Sequence, residues 1–591
     1  MDRTGKIVVA LAVLALLAWT FFSQREMEKN AATRRAAAAA EAQARAAEPQ
    51  LAKKTEAPAA APTPAAPATT PVEPREPEKI ETLANEAVEF SFSNLGGGIA
   101  HAALRKHEAE RGKLMVLNEF GPIPIGALSD VAGEGARVPF AASVDPARTA
   151  ITFQRTDARQ MEITKRYTIA QPGDGSEEYA ARLEVTFTNR GTQPVPLAPY
   201  YIYAGAAAPV HQRDLPMYTG FKFSGGKFID VNWFSAGGFL GFGHPERPVF
   251  TAEHAGTSWL GVTNQYFSTI VSPQVTAKDP AAQARQHGSA VWARRFDISD
   301  EAWKASGRSA EGANGKRFGV QAALLMPGLA MEPGAAMTQS FLIYTGPREY
   351  SRLKRLGSTE EQMMDFGMFG IVSRTLLNAL NVLHAWFQSY AAAIIVLTLV
   401  IKTLLWPMQN KATQSMKRMQ LLQPKMAEIK EKFSDDPQRM NTETLKLYKD
   451  YGVNPLSGCL PMVVQIPIFF GFYNMLGKAV ELRNSHFLWI KDLSQPDTLF
   501  HLAGIPVNPL PLLMAGTMFW QMAISPKSGD AAQQRMFMFM PLIFVFFCYN
   551  YASALALYWT VQNLFSVVQL YATRNQAPPQ LQKVATRPKR K

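Results

Sequence analysis

From residue 80 to about residue 350 the chain alternates apolar and polar positions with a period of two. Val88, Phe90 and Phe92 fall on one side, as do alternate residues from Ile163 to Ile169. Leu183, Val185 and Phe187 repeat the pattern up to the turn Asn189-Arg190-Gly191. A strand sends successive side chains to opposite faces, so this alternation, punctuated by Gly and Pro, predicts an antiparallel β-sandwich over residues 80–350. After the strand-like FLIYTGP the period becomes helical. Residues 351–385 are predicted to be an amphipathic segment lying along a membrane surface, with apolar positions of Phe366–Leu383 opposite Arg374, unless they simply extend the next helix.

Beyond that point apolar runs approach bilayer length. Spans are predicted at 386–406, between Trp386 and Trp406, at 456–477, kinked by Pro461 and Pro467, and at 509–525. The run from Met536 to Tyr571 is too long for one helix and divides at Tyr549-Asn550-Tyr551-Ala552-Ser553 into spans 536–550 and 554–571. Near the start, residues 7–22 follow Arg3 and Lys6. Trp19, Phe21 and Phe22 stand where a cleavable signal needs small residues, which predicts an anchor helix. Between anchor and sandwich, residues 23–79 are rich in Ala and Pro and offer little to bury, as a disordered tether does.

Charge sets the orientation. Residues 408–455 carry nine Lys/Arg, and the tail 572–591 carries Arg574, Lys583, Arg587, Lys589, Arg590 and Lys591 with no acid. By the positive-inside rule, residues 1–6, the segment 407–455, the loop 526–535 and the tail are cytoplasmic, while the sandwich and the loop 478–508 face the periplasm. The segment 407–455 reads as a helical hairpin. Met419, Leu422, Met426, Ile429 and Phe433 form one stripe, with Pro424 opening that helix, and Met440, Leu447 and Tyr451 form the other after Ser434-Asp435-Asp436-Pro437.

Composition then excludes several functions. A net charge of +13 is spread without a recognisable nucleic-acid module, so no direct DNA binding is expected. Cys459 and Cys548, the two cysteines, both lie in apolar segments and offer no disulfide framework or zinc spacing. His101, His211, His244 and His254 have no motif spacing, and no phosphate loop appears. No enzyme activity, cofactor or metal is expected.

Lys402, inside the span 386–406, needs a reason to be there, because a central charge costs about 2.5–3.5 kcal/mol on insertion scales. It stands four residues from Trp406, close enough for its stem to snorkel to the interface, and the residues alone favour that reading. The alternative is a wet cavity. Thr398 lies one turn before Lys402, Gln465 is in the next span, and Tyr558, Gln562, Asn563 and Ser566 crowd the last. Singly each suits a packing hydrogen bond; together they suit a lined groove.

The run VNPLSGCLPMVVQIPIFFGFY, Val453 to Tyr473, resembles the signature of the YidC/Oxa/Alb insertase family, of the Gram-negative type with a large periplasmic domain. IKTLLWP, MKRMQLLQPKM, ELRNSHFLWIKDLS and ALYWTVQNL resemble its other membrane landmarks, and WLGVTNQYFSTI and IYTGPREYSRLKRLG resemble points in its outer domain. The resemblance implies an α+β membrane protein of the bacterial inner membrane. Its parts are a periplasmic antiparallel β-supersandwich, a C-terminal five-helix transmembrane insertase bundle and one N-terminal anchor helix. It further implies an insertase and chaperone with a hydrated cationic groove that receives nascent membrane-protein substrates from the lipid bilayer's cytoplasmic side, alone or with the Sec translocon. The ribosome and the signal-recognition-particle receptor are implied contacts of the hairpin and tail. Lys402 matches the groove's cation, commonly arginine in the family, and Tyr558 and Trp559 match aromatics that face substrate. Ala552-Ser553-Ala554 replaces the family's usual Pro and Gly in the outer turn, and the tail is short.

Two other classes compete. A secondary transporter also hides polar residues among helices, but it shows paired repeats that these unlike spans lack. A tethered periplasmic enzyme requires a convergent acid, base or metal cluster in residues 80–347, and spacing reveals none.

Overall fold

The computed structural model describes residues 77–110, 112–211, 214, 219–224, 228–231, 234, 237–239, 242–308, 317–454, 460–502, 505–526 and 538–573. The expected anchor 7–22, nearly all of the tether 23–79, Cys459, most of the loop 526–535 and most of the tail 572–591 lie outside them.

The outer domain is built on a nine-stranded sheet. Its strands run in the order Phe228–Val231, Gly220–Ser224, Trp259–Thr263, Phe267–Gln274, Ala336–Pro347, Ala180–Asn189, Met161–Ile169, Ala150–Thr156 and Ala141–Val144. Every neighbour pair in it is antiparallel. Five further strands, Val249–Thr257, Gly288–Asp297, Phe318–Met326, Tyr200–Ala207 and Leu128–Ser129, form a second sheet that lies against the first. A four-stranded meander, Ile80–Ala84 to Lys113–Leu117, precedes them.

The alternation is what closes this domain. Val88, Phe90 and Phe92 are buried, as are Leu183, Val185 and Phe187, while the residues between them are partly exposed. Rings meet in the space between the sheets: Phe187 and Tyr200 lie 5.1 Å apart and Phe221 and Phe250 5.4 Å apart. Aromatic pairs at such separations add about 0.5–1.5 kcal/mol beyond the area they bury.

The first half of the expected surface segment 351–385 belongs to this domain instead. Tyr350–Leu356 is a helix and Glu360–Met364 a 3-10 turn. Leu353, Met363 and Met364 are fully buried in the main core, and Glu360 accepts from Ser272 Oγ at 2.8 Å. Arg348 fixes the joint by donating to the carbonyls of Asn264, Gln265, Met363 and Met364. Apolar side chains leave water against a sheet as they do in lipid, so these polar bonds of Arg348 and Glu360 are what hold the segment to the domain.

The helices follow: α1 Gly370–Phe387, α2 Tyr390–Leu421, α3 Gln423–Lys432, α4 Pro437–Asp450, α5 Leu460–Leu476, α6 Pro509–Ile524, α7 Met540–Cys548 and α8 Ser553–Ala572. Helix α1 packs on α2 and α5, α2 on α8, and α6 on α7 and α8. Among the described residues α2 alone is long and apolar enough to cross a membrane unaided, and residues 463–476 and 509–524 are shorter apolar helices. Helix α2 does not stop at Trp406. It runs on through Pro407, whose missing N–H costs one hydrogen bond, because the Lys-, Gln- and Met-rich sequence beyond is helix-forming. The first arm of the predicted hairpin is therefore partly a continuation of the span. Helices α3 and α4 share a small core of Leu422, Tyr448 and Val453 with Met419, Met426 and Tyr451 around it.

Outer domain and helices touch at a few specific places. Gln265 Nε2 donates to the Gly477 carbonyl at 2.7 Å and the Tyr266 hydroxyl to the Ser494 carbonyl at 3.1 Å. From the other side Arg483 donates to the carbonyl of Glu108 at 2.6 Å, and its guanidinium lies over the rings of Tyr266 and Phe267.

Candidate functional site

Helix α8 supplies most of a polar row. Residues four apart on a helix stand one above another, so Tyr558, Gln562 and Ser566 form a single stripe. Leu564 and Val568 lie on another face and are exposed, as lipid-facing residues are. The stripe meets α5 and α2. Gln465 on α5 donates through Nε2 to the Tyr558 hydroxyl and to Gln562 Oε1, each at 3.1 Å. Lys402 on α2 donates to Ser566 Oγ at 3.2 Å, and Ser566 Oγ in turn donates to the Gln562 carbonyl at 2.9 Å.

The lysine thus reaches across to α8 and not along its own helix to the interface. Its partner among the described residues is a neutral hydroxyl. An ammonium carries three donors, so this arrangement keeps a positive charge in the bundle without neutralising it.

The other predicted positions divide. Tyr558 is 2% exposed and its ring stacks on Phe472 at 4.0 Å. Trp559 lies between Phe469, at 4.8 Å, and Phe544, at 4.4 Å. Thr398 is buried and gives its hydroxyl to the Ile394 carbonyl of its own helix at 2.7 Å, outside the row. Asn563 faces α6, where Nδ2 donates to Thr517 Oγ1 at 3.2 Å. The geometry therefore joins Lys402, Gln465, Tyr558 and Gln562, flanks them with Trp559, and turns Thr398 and Asn563 to helix packing. Ser566, one of the polar residues the sequence places in the last span, is the link between Lys402 and the row. Its spacing of four from Gln562 is the signal that marks it.

Toward the hairpin end of the bundle α2, α6 and α8 enclose an opening of about 340 Å³, lined by Thr413, Lys417, Ile524, Leu570 and Thr573 among others. Lys417 Nζ donates there to the Thr573 carbonyl at 3.0 Å. Among the described residues no group of three His, Cys, Asp or Glu is placed to hold a metal.

A β-rich domain joined to a bundle of apolar helices that shelter an unneutralised lysine is the build of an integral membrane protein with a large water-exposed part. The sequence profile described as "YidC periplasmic domain" matches residues 81–379, just over half of the chain, and that described as "60Kd inner membrane protein" matches residues 382–580. The chain belongs to the YidC family. Relatives described as "Membrane protein insertase YidC" include one from Pelobacter propionicus, 40% identical over 260 residues, which are 43% of this chain and 48% of the relative. Another, from Syntrophus aciditrophicus, is 43% identical over 260 residues, 44% of this chain and 46% of the relative. The chain spans about half the length of these curated relatives. A crystal structure described as an active YidC insertase with its first transmembrane domain resolved aligns with 85% of this chain and 94% of its own, at 14% identity and a TM-score of 0.34.

Proposed function

We propose that this protein is a membrane protein insertase and chaperone, which lowers the barrier for polar segments of nascent inner-membrane proteins to cross the bilayer. The observation that carries the reading is Lys402, held at Ser566 inside the bundle without an acid partner among the described residues. An apolar slab of about 30 Å opposes every uncompensated polar group by several kcal/mol. A hydrated groove lined by Gln465, Tyr558 and Gln562 shortens that path, and the Lys402 charge attracts acidic residues in a translocating tail. Helices α6 and α7 rise about 24 Å and about 14 Å, and such short apolar elements thin the surrounding bilayer.

In this reading the protein spans the inner membrane with an anchor and five C-terminal helices, with both termini in the cytoplasm and the β-domain in the periplasm. No covalent bond changes, so the protein is no enzyme and needs no cofactor. The Sec translocon is a partner for some substrates, and the α3–α4 hairpin with the basic tail serves ribosome or signal-recognition-particle receptor contact. The experiment is site-directed photocrosslinking to nascent chains. A probe at Tyr558 is expected to capture them, while one at Phe546, 79% exposed on the lipid side, is expected to capture few. Equal capture from both positions refutes the groove.

A further inference from the structure

Immediately before α6 the chain forms a two-stranded ribbon, Phe500–Leu502 paired antiparallel with Ile505–Val507. Strands normally hide one face. Here Leu499, Phe500 and Leu502 are 53%, 51% and 66% exposed, and no third strand covers them among the described residues. Apolar surface left in water costs about 25 cal/mol per Å², so three large side chains displayed together mark an interaction surface.

The base of the ribbon is held firmly. Leu499 N donates to the Val507 carbonyl at 3.0 Å and Thr498 Oγ1 to Asn508 Oδ1 at 2.7 Å. Asn508 Nδ2 donates to the Tyr549 carbonyl at 2.6 Å, and the Tyr549 hydroxyl donates to the Pro506 carbonyl at 2.7 Å. Asp497 accepts from Leu510 N at 2.7 Å and from Trp489 Nε1 at 3.1 Å. This network ties the ribbon to the first turn of α6 and to the turn between α7 and α8, so its height is fixed relative to the ends of those helices.

Sequence and length then identify the partner. From Thr498 to Pro526 there is no Asp, Glu, Lys or Arg, so the ribbon and α6 form one uncharged stretch. Helix α6, of 16 residues, rises about 24 Å, short of an apolar core of about 30 Å. Leu512 and Leu513 continue the exposed apolar surface onto the helix, whose outward face meets lipid in a protein of this family. The free edge of the ribbon still carries unpaired backbone groups, which the hydrocarbon centre does not tolerate and the headgroup zone does.

We propose that the paired strands Phe500–Leu502 and Ile505–Val507 rest in the headgroup–acyl boundary of the outer leaflet, with Phe500 and Leu502, which share one face of their strand, toward the acyl chains. They complete the apolar height that α6 lacks. The proposal uses only the membrane setting of α6, and its failure leaves the insertase reading untouched.

The test uses the full chain with Cys459→Ser and Cys548→Ser, and a single Phe500→Cys or Leu502→Cys carrying an NBD label, in vesicles of phosphatidylethanolamine and phosphatidylglycerol. The expected result is blue-shifted emission, strong quenching by a doxyl group near the headgroup end of an acyl chain, and several-fold less quenching by aqueous iodide than from a label at Val131→Cys. Val131 is 52% exposed in the outer domain. Iodide quenching equal to that at Val131, with no doxyl effect, overturns the proposal. Protection from iodide that appears only as protein is crowded in the vesicle assigns the surface to a second copy, and also overturns it. As a second variant, Leu502→Asp with the label at Phe500→Cys is expected to move the label toward water; an unchanged spectrum counts against a lipid partner.

Discussion

Lys402 Nζ and Ser566 Oγ lie 3.2 Å apart, a bond that joins α2 to α8 at the one lysine within the apolar part of α2. Under the proposed insertase function, the neutral partner leaves the charge available to a substrate. Lys402→Arg is expected to keep insertion near the wild-type level. Lys402→Glu is expected to lose on the order of tenfold or more for substrates with acidic tails, and less for neutral tails, since attraction becomes repulsion. An in vitro insertion assay with both substrate types, at equal amounts of folded protein, measures this. Equal activity of wild type and the glutamate variant on acidic tails returns Lys402 to a structural role.

Gln465 makes two hydrogen bonds to α8, so its replacement is felt through Tyr558. Tyr558→Phe and Gln465→Leu are each expected to lower stability by about 1 kcal/mol, with the double variant losing less than the sum. Thermal unfolding of the four proteins in one detergent gives the coupling. Strict additivity would mean that the bond at 3.1 Å carries no energy.

Both carboxyl oxygens of Glu481 are sealed from solvent beside α1. Burial, with the negative charge of Glu349 nearby, pushes this carboxyl up to about 7. The folded state therefore holds the proton more tightly than the unfolded chain. Stability is fully present below about pH 4.5 and falls as pH rises to about 7, by about 3 kcal/mol at about 1.4 kcal/mol per pH unit. Glu481→Gln is expected to unfold at nearly the same temperature at pH 5 and pH 8, and above wild type at pH 8. A wild-type midpoint that does not fall across that interval contradicts the assignment.

Removing most of residues 80–330 is expected to leave insertion largely intact, because the polar row is made by α2, α5 and α8. The same deletion takes away Gln265 and Tyr266, and with them the bonds to Gly477 and Ser494, so the bundle is expected to melt earlier. Insertion and melting measured on one well-expressed deletion separate the two effects. Abolished insertion with an unchanged melting point would assign the domain a direct role.

Helices α3 and α4 bury little beyond Leu422, Tyr448 and Val453. Their amides are expected to exchange faster than those of residues 390–402 by at least an order of magnitude. Hydrogen exchange in detergent or nanodiscs reads this directly, and equal protection of the two regions rules it out.

The outer domain could be read because burial there is periodic. Val88, Phe90 and Phe92, or Leu183, Val185 and Phe187, announce a half-buried strand without knowledge of its partners. Residues 351–366 could not, since Leu353, Met363 and Met364 are apolar at helical spacing whether they face lipid or a sheet. What decides is Arg348 and its cage of carbonyls, assembled from segments about a hundred residues apart. The polar row was legible in kind, because Gln and Lys in apolar helices demand partners. Which partner each found was not: Ser566 for Lys402 and Thr517 for Asn563 depend on how helices distant in sequence are turned toward each other.

Helix α2 is a single rod of 32 residues, about 48 Å from end to end, and Pro407 lies near its middle. Bending concentrates at a proline, so the rod has a built-in fulcrum five residues from Lys402. A load placed on the Leu421 end acts there with a lever arm of about 20 Å. Whatever docks on the distal arm therefore loads the Lys417–Thr573 bond to α8 before it reaches the Lys402–Ser566 bond beyond the proline.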